Sequence, residues 1–230
     1  MTDTNDTLIP PTPTAEEYAK EADQQEAFSA DADQGDVFAD HDDPMALFSA
    51  WLALAKEHEI NDPNAMTIAT VDESGWPDAR IVLLKDVNDG FSFYTNAESA
   101  KGLQLQRNPR AALVFHWKSI RRQVRVRGRV RPLPAEVSDA YFASRDRGSQ
   151  IGAWASQQSR EMQDREILTT RIGDYESLFQ DRDVPRPDFW RGFSLVPERL
   201  EFWVNRPFRL HDRKLFYRDG DGWETAFLFP

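Results

Sequence analysis

The sequence of 230 residues contains no cysteine, so neither a disulfide nor a cysteine-ligated metal site can form. A chain without cysteine is typical of an intracellular protein, and we expect it in the cytoplasm. No apolar run approaches the roughly 20 residues that a membrane-spanning helix needs. The N-terminus is polar and acidic, unlike a secretory or transit peptide. The sequence therefore predicts no association with a membrane.

Motifs for several kinds of catalysis are missing as well. There is no glycine-rich dinucleotide fingerprint, no P-loop and no Gly-x-Ser-x-Gly turn that would expose a serine nucleophile. The four histidines are scattered without metal-ligand spacing, so we expect no metal site. Cationic clusters without a nucleophile favour an enzyme whose bound cofactor carries out the chemistry.

Basic residues are in the minority, with 28 Lys and Arg against 39 Asp and Glu and a net charge of −11. Residues 1–43 hold 13 acidic side chains and one basic one, which leaves residues 44–230 near neutrality. High charge with little apolar content predicts a disordered or loosely attached acidic tail over residues 1–43. Residues 44–230 are then the folded domain. The acidic balance also argues against nucleic acid as a partner.

Apolar spacing changes along the domain from a helical period to a strand period. A helix is predicted from Pro44 to about Glu57, since Asp43 can cap it and proline suits its first position. Further helices are predicted over residues 99–107, 134–145 and 160–180. The predicted strands cover residues 65–71, 79–85, 91–95, 111–117, 122–131, 193–196, 199–204, 209–217 and 223–229. Closely spaced hairpins predict a mainly β fold with flanking helices (α+β), an antiparallel barrel or sandwich.

Cationic side chains recur on two of the predicted strands. Alternation over residues 122–131 puts Gln123 and four arginines on one face, which is either a solvated, ion-paired face or a surface that binds phosphate. On a strand, Arg209, His211 and Arg213 would share a face, and the two guanidiniums should lower the pKa of the imidazole. That cluster favours an anion-binding site.

Weaker signals come from cations at the ends of other elements. Arg80 and Lys85 are five residues apart on one predicted strand, so we expect them on opposite faces. Arg145, Arg147 and Ser149 lie near a predicted helix end, where they could bind a phosphate.

Several segments, taken in order, resemble the pyridoxine/pyridoxamine 5′-phosphate oxidase family. They cover residues 64–71, 80–85, 93–96, 108–110, 122–125, 141–142, 149–159, 201–203 and 209–213. The resemblance extends from about residue 43 to residue 230. It implies an antiparallel split β-barrel that binds FMN and forms a homodimer with the flavin sites at the subunit interface.

The resemblance also implies a role for individual residues. The residues expected to bind FMN, partly from the second subunit, are Arg80, Ile81, Val82, Leu83, Leu84, Lys85, Tyr94, Thr95, Lys101, Gln123, Gln158, Ser159, Trp203 and Arg213. Those expected to bind the substrate are Lys85, Tyr141, Arg145, Ser149, Arg209 and His211. Of these, Arg209 and His211 would lie over the substrate ring as catalytic residues.

The implied reaction is oxidation of pyridoxamine or pyridoxine 5′-phosphate to pyridoxal 5′-phosphate, with dioxygen as acceptor and hydrogen peroxide as product. Two alternatives stay open: a weakly active or non-catalytic relative that binds a flavin or pyridoxal phosphate, and a flavin oxidase of another ring, such as a phenazine precursor. Three features depart from the family pattern. Ala100 and Phe227 stand where the family usually has arginine, and residues 1–43 lack its Arg-x-x-Tyr motif.

Overall fold

The computed structural model of the chain describes residues 13–20, 23, 37–38, 42–88 and 90–230. Helix α1 (Pro44–His58) begins as predicted, with the Asp43 carboxylate accepting a hydrogen bond from the backbone N–H of Met45. Its apolar side is buried, and Phe48 meets Phe91 and Phe115 edge-on at centroid distances of 4.8 and 4.9 Å. The predicted cap and the spacing of apolar residues are both confirmed.

The described residues form eight strands of one antiparallel sheet. They are β1 (Ala65–Val71), β2 (Pro77–Leu83), β3 (Phe91–Asn96), β4 (Arg110–Trp117), β5 (Arg122–Pro132), β6 (Trp190–Val204), β7 (Asp212–Asp219) and β8 (Gly222–Phe227). The order is β2-β1-β4-β5-β6-β7-β8, and β3 pairs with β6 outside this path. Strand β6 pairs with β5 along one edge, and with β3 and then β7 along the other. The predicted mainly β architecture with flanking helices is confirmed.

Helices follow β3 and β5. They are α2 (Ala100–Arg107), α3 (Ala135–Ala143), α4 (Arg147–Ala155) and α5 (Arg165–Leu178). Helix α4 was not predicted as a helix, because its sequence is polar and contains two glycines. It begins at a capping aspartate: the Asp146 carboxylate accepts from the backbone N–H of Ser149 at 3.0 Å. No helix in the described ranges has the length and apolar content needed to cross a membrane.

One continuous strand replaces the two predicted over residues 193–196 and 199–204. Proline normally interrupts a strand ladder because it has no N–H to donate. Here Pro197 faces Gly128 next to a register shift in β5, where the ladder is already irregular. A Cβ on Gly128 would lie 1.9 Å from the carbonyl oxygen of Val196, so only glycine allows β5 and β6 to approach this closely.

The predicted strand over residues 209–217 is wrong at its start. Pro207–Arg209 form a 3-10 turn, with positive φ angles of 55° at Phe208 and 63° at Arg209, and β7 begins at Asp212. Arg209 therefore does not share a strand face with His211 and Arg213. A left-handed pair of residues breaks the alternation on which that prediction depended.

Parts of the predicted acidic tail pack against the domain. Val37 and Phe38 are 8% and 4% exposed and belong to the main hydrophobic core, where the Phe38 ring stacks on Trp51 at 6.1 Å. Residues 15–20 are helical, and the Tyr18 ring lies 5.1 Å from Phe208. These contacts show that the segment before Pro44 contributes to the core. For most of residues 1–43 the prediction of disorder falls outside the described ranges.

Phe38→Ala should lower the free energy of unfolding by about 3 kcal/mol, because it removes a buried ring and leaves a cavity beside Trp51. Urea denaturation followed by tryptophan fluorescence measures the change. Ile60→Ala, at a side chain that is 97% exposed, is the control and should change stability by less than about 0.5 kcal/mol. Equal stability of the two variants would show that the tail contributes nothing to the core.

Candidate functional site

A cleft of about 940 Å³ opens where β2, β3, α2 and the α3–α4 connection meet. It is lined by Arg80, Ile81, Val82, Leu83, Lys85, Tyr94, Thr95, Asn96, Lys101, Tyr141, Arg145, Asp146, Ser149, Gly152, Ala153, Ser156, Gln158 and Trp190. The lining combines four cations with aromatic rings and aliphatic side chains. That composition suits an aromatic ligand that carries negative charge.

One group of cations lies at the start of α2. Lys101 is 7% exposed, and its Nζ donates to Gln158 Oε1 at 2.7 Å and to Ser99 Oγ at 3.3 Å. Ser99 is also the N-cap of α2, because its hydroxyl accepts from the N–H of Gly102. The pKa of Lys101 is lowered to about 8, mainly by burial and also by the neighbouring Arg80, while Asp78 opposes the shift. An anion in the cleft would relieve this cost.

Arg80 reaches the same region from β2. Its Nη1 donates to Thr70 Oγ1 at 2.6 Å, and its Nη2 pairs with the Asp78 carboxylate. Arg80 and Lys85, predicted on opposite faces of one strand, both line the cleft. Strand β2 ends at Leu83, so strand alternation no longer governs the direction of the Lys85 side chain.

A second group of cations surrounds an aromatic stack. The rings of Tyr94 and Tyr141 lie 4.1 Å apart at 18°, and Trp190 lies 5.1 Å from Tyr94 at 10°. The guanidinium of Arg145 covers Trp190 at 5.0 Å, and Lys85 Nζ lies 5.8 Å from the Tyr141 ring. Burial lowers the pKa of Arg145. Its Nη1 is buried and has no hydrogen-bond partner among the described residues, so this end of the cleft suits a phosphate.

Other predicted residues form a separate cluster on β5, β6 and β7. The register aligns Gln123 with Trp203 and Trp203 with Arg213, so the three share the face of the sheet opposite the core. The His211 ring lies 4.5 Å from Trp203, and its Nδ1 accepts from the backbone N–H of Arg206. The predicted lowering of the pKa of His211 is confirmed. Burial is the main cause, followed by the charges of Arg209 and Arg213.

A buried carboxylate holds Arg213 in place. Glu201 is 4% exposed, and its Oε1 accepts from Arg213 Nη2 at 2.7 Å and from Nε at 3.0 Å. Its Oε2 accepts from Arg125 at 3.1 Å. Farther along β5, Arg129 lies 3.8 Å from Glu198. For Arg125 and Arg129, the interpretation of an ion-paired strand face therefore holds.

The structure divides the predicted site residues between these two places. The cleft holds Arg80, Ile81, Val82, Leu83, Lys85, Tyr94, Thr95, Lys101, Tyr141, Arg145, Ser149 and Gln158. Its described lining does not include Leu84, Gln123, Ser159, Trp203, Arg209, His211 or Arg213. Leu84 is 4% exposed and lies in the core, and Ser159 follows Gln158 with a φ of 71°.

Six lining residues were not predicted. They are Asn96, Asp146, Gly152, Ala153, Ser156 and Trp190. Four of them belong to α4 or its flanks, and Asp146 is a residue type that caps helices, a signal that could have indicated this helix. Trp190 begins β6, and nothing in the local sequence indicates that its ring stacks on Tyr94.

The residues of the cleft fit a flavin phosphate. Lys101 is a buried amine whose only hydrogen bonds among the described residues go to an amide and a hydroxyl. The exposed side chains of Ile81 and Leu83 supply apolar contact area on the same strand as Arg80. A planar, apolar ring with a phosphate at one end matches this combination of groups.

Comparisons with known proteins point in the same direction. Residues 54–179 match the family model described as pyridoxamine 5′-phosphate oxidase, and residues 190–230 match the pyridoxine 5′-phosphate oxidase C-terminal dimerisation region. The pyridoxine/pyridoxamine 5′-phosphate oxidase of Maricaulis maris is 55% identical, over 98% of this chain and 99% of its own. That of Caulobacter vibrioides is 50% identical, over 97% and 98%.

Solved structures show the same fold. PhzG from Burkholderia lata, in complex with tetrahydrophenazine-1-carboxylic acid, superposes with a TM-score of 0.80 at 29% identity, over 86% of this chain and 97% of that one. An FMN-binding protein from Nostoc punctiforme, related to pyridoxamine 5′-phosphate oxidase, gives a TM-score of 0.65 at 15% identity, over 82% and 98%. The predicted split-barrel fold is thereby confirmed.

The affinity of the flavin-free protein for FMN should fall as the pH rises above 8, by up to about tenfold per pH unit. Lys101 must be protonated to attract the phosphate, and its pKa of about 8 in the empty cleft means that binding takes up a proton above that pH. Flavin fluorescence titrations between pH 7 and 9 measure the effect. Lys101→Met should bind FMN more weakly and with a flat profile. If the FMN affinity of Lys101→Met still falls with pH, the proton taken up on binding belongs to another group.

Proposed function

Because the chain belongs to the pyridoxine/pyridoxamine 5′-phosphate oxidase family, we propose that it oxidises pyridoxamine or pyridoxine 5′-phosphate to pyridoxal 5′-phosphate, with FMN as cofactor and dioxygen as acceptor. The observation that carries the proposal is the presence of two cation groups in one cleft. Arg80 and Lys101 form one group, and Lys85 and Arg145 form the other beside Tyr141. Two phosphorylated aromatic molecules bound side by side would use both groups.

Each cation group has its own ligand in this proposal. Arg80 and Lys101 hold the phosphate of FMN, and Ile81 to Leu83 pack against the flavin. Lys85, Tyr141, Arg145 and Ser149 hold the phosphate of the substrate. When bound, FMN would supply a hydride acceptor for the exocyclic carbon of the substrate and would pass the two electrons to dioxygen, which gives hydrogen peroxide. With the amine substrate, water supplies the aldehyde oxygen and the nitrogen leaves as ammonia. The protein contributes orientation and charge neutralisation.

The second cluster is proposed to act across a homodimer interface. Trp203, Arg209, His211 and Arg213 all lie within residues 190–230, the segment that matches a dimerisation region. The same segment exposes the large apolar side chains of Phe208, Leu210, Phe227 and Phe229, which is typical of a surface that binds another subunit. A partner subunit would then bring its cluster to the open side of the cleft.

His211 is proposed to act as a hydrogen-bond donor to the substrate. Its Nδ1 accepts from Arg206 N–H at 3.1 Å, so the neutral imidazole carries its proton on Nε2. Burial and the nearby arginines lower its pKa and keep it neutral at physiological pH. Arg209 carries a planar guanidinium that can hold the substrate ring against the flavin. We expect no obligatory protein base, because the proton lost by the amine or hydroxyl group of the substrate can pass to water.

The alternative of a phenazine-type substrate has weaker support. PhzG shares 29% identity with this chain, whereas the pyridoxine/pyridoxamine 5′-phosphate oxidases named above share 50% and 55%. A phosphate on the substrate also gives a partner to the buried Nη1 of Arg145.

The cytoplasmic location stays a prediction from the sequence.

The activity is tested by adding pyridoxamine 5′-phosphate in air to the flavin-loaded protein, and by following pyridoxal 5′-phosphate absorbance and hydrogen peroxide. Arg209→Ala should lower kcat/KM by about 10- to 1000-fold with nearly unchanged flavin content. Arg129→Ala, on the ion-paired face of β5, should leave both unchanged. Absence of product from the unmodified protein would contradict the proposed reaction, and loss of flavin alone in Arg209→Ala would contradict the role of this residue.

Shared sites can be tested with mixed dimers. Lys85→Met disables the cleft, and Arg213→Ala disables the cluster on β5 to β7, so each variant alone should show little activity. Unfolding and refolding the two together should restore activity, because one site of each mixed dimer is intact. Refolding each variant separately is the control. No recovery in the mixture, with dimers demonstrated by light scattering, would mean that one subunit supplies the whole site.

A further inference from the structure

Asp78 is a carboxylate that pairs with the cleft residue Arg80 without lining the cleft itself. It lies two residues before Arg80 on β2, and side chains two apart on a strand share a face. Its Oδ2 pairs with Arg80 Nη2 and also accepts from Gln104 Nε2 at 3.4 Å. The side chain is 49% exposed, against 21% for Arg80, so the carboxylate reaches the guanidinium from the solvent side.

The ion pair with Asp78 gives Arg80 a counter-ion, whereas Lys101 has none among the described residues. Arg80 already has a counter-ion in Asp78 and a hydroxyl partner in Thr70. Lys101 makes no ion pair within the described residues and donates only to Gln158 and Ser99. Asp78 also acts on Lys101, because its charge opposes the lowering of the lysine pKa. A dianionic phosphate entering here would meet one net positive charge instead of two.

We propose that Asp78 competes with the phosphate of FMN for Arg80 and thereby weakens the affinity of this chain for the flavin. The inference rests on the proposed function for the identity of the ligand. A phosphate monoester carries a charge of about −1.5 to −2 at neutral pH. It must displace the carboxylate from Arg80 or bind beside it against like-charge repulsion. Either way, part of the attraction between Arg80 and the phosphate is cancelled.

The test is the isosteric variant Asp78→Asn in the full-length, flavin-free protein, titrated with FMN and with riboflavin, which has the same ring system but no phosphate. The dissociation constant for FMN should fall by about 3- to 10-fold, and that for riboflavin should stay unchanged. Raising the salt concentration should bring the FMN dissociation constants of the variant and the unmodified protein closer together. Salt screens the repulsion between the phosphate and the partly exposed Asp78 carboxylate. Far-ultraviolet circular dichroism checks that the variant is folded.

Glu73→Gln is the matched control. Glu73 is an exposed carboxylate in the β1–β2 turn, and its partner Arg107, unlike Arg80, does not line the cleft. The control changes the net charge by the same amount and also removes the partner of a guanidinium. Its affinity for FMN should equal that of the unmodified protein. An equal gain in both variants would assign the effect to overall charge and overturn the proposal.

Whether Asp78→Asn binds FMN more tightly or more weakly decides the role of Asp78. Weaker FMN binding by Asp78→Asn would mean that the carboxylate holds Arg80 in its binding position, and unchanged binding would mean that it does not act on the phosphate. Both results overturn competition. The proposed reaction is judged separately by pyridoxal 5′-phosphate formation. Tighter FMN binding in a protein that forms no product would support the role of Asp78 while contradicting the proposed function.

Discussion

Strand β6 determines how the rest of the sheet is arranged, because three other strands pair with its 15 residues. β5 runs along one edge, while β3 and β7 divide the other edge between them. The first half of β6, with β3, brings Trp190 against Tyr94 in the cleft. The second half, with β5 and β7, aligns Trp203 with Gln123 and Arg213. Strand β6 thus fixes the relative positions of the cleft and the second cluster. The irregularity at Gly128 in β5 allows β6 to continue past Pro197 without a break.

The electrostatics of the cleft follow from burial. Within the described residues, neither Lys101 nor Arg145 forms an ion pair with a carboxylate, and burial lowers both pKa values. Such groups destabilise an empty site and become favourable when an anion arrives. The cluster on β5 to β7 is different, because Glu201 pairs with Arg125 and Arg213 inside one subunit. The cleft is therefore prepared for an anion, whereas in the second cluster a single carboxylate already pairs with two guanidiniums.

Local patterns predicted most of the elements but less of the site. Strand β1 was predicted with its observed bounds, and the Asp43 cap and the alternation along β5 are as expected. The turn at Arg209 was missed because positive φ angles at non-glycine residues leave no clear pattern in sequence. Burial of Phe38 depends on Trp51, and stacking of Trp190 on Tyr94 depends on residues nearly 100 positions apart. Such long-range contacts cannot be deduced from spacing. The division of the predicted site residues between two clusters also depends on the three-dimensional fold and cannot be predicted from sequence spacing.

The Phe38 ring meets Phe227 at 6.1 Å, and the Phe38 carbonyl accepts from Lys214 at 3.3 Å. These contacts join Phe38 to β7 and β8, so they cannot form until β8 has left the ribosome. Strand β6, near residue 200, must also emerge before β3 finds its partner. Synthesis therefore delivers an incomplete sheet with unpaired edges, and the sheet closes only after β6 to β8 have emerged. Nascent chains stalled before β6 should be the species that most needs a chaperone.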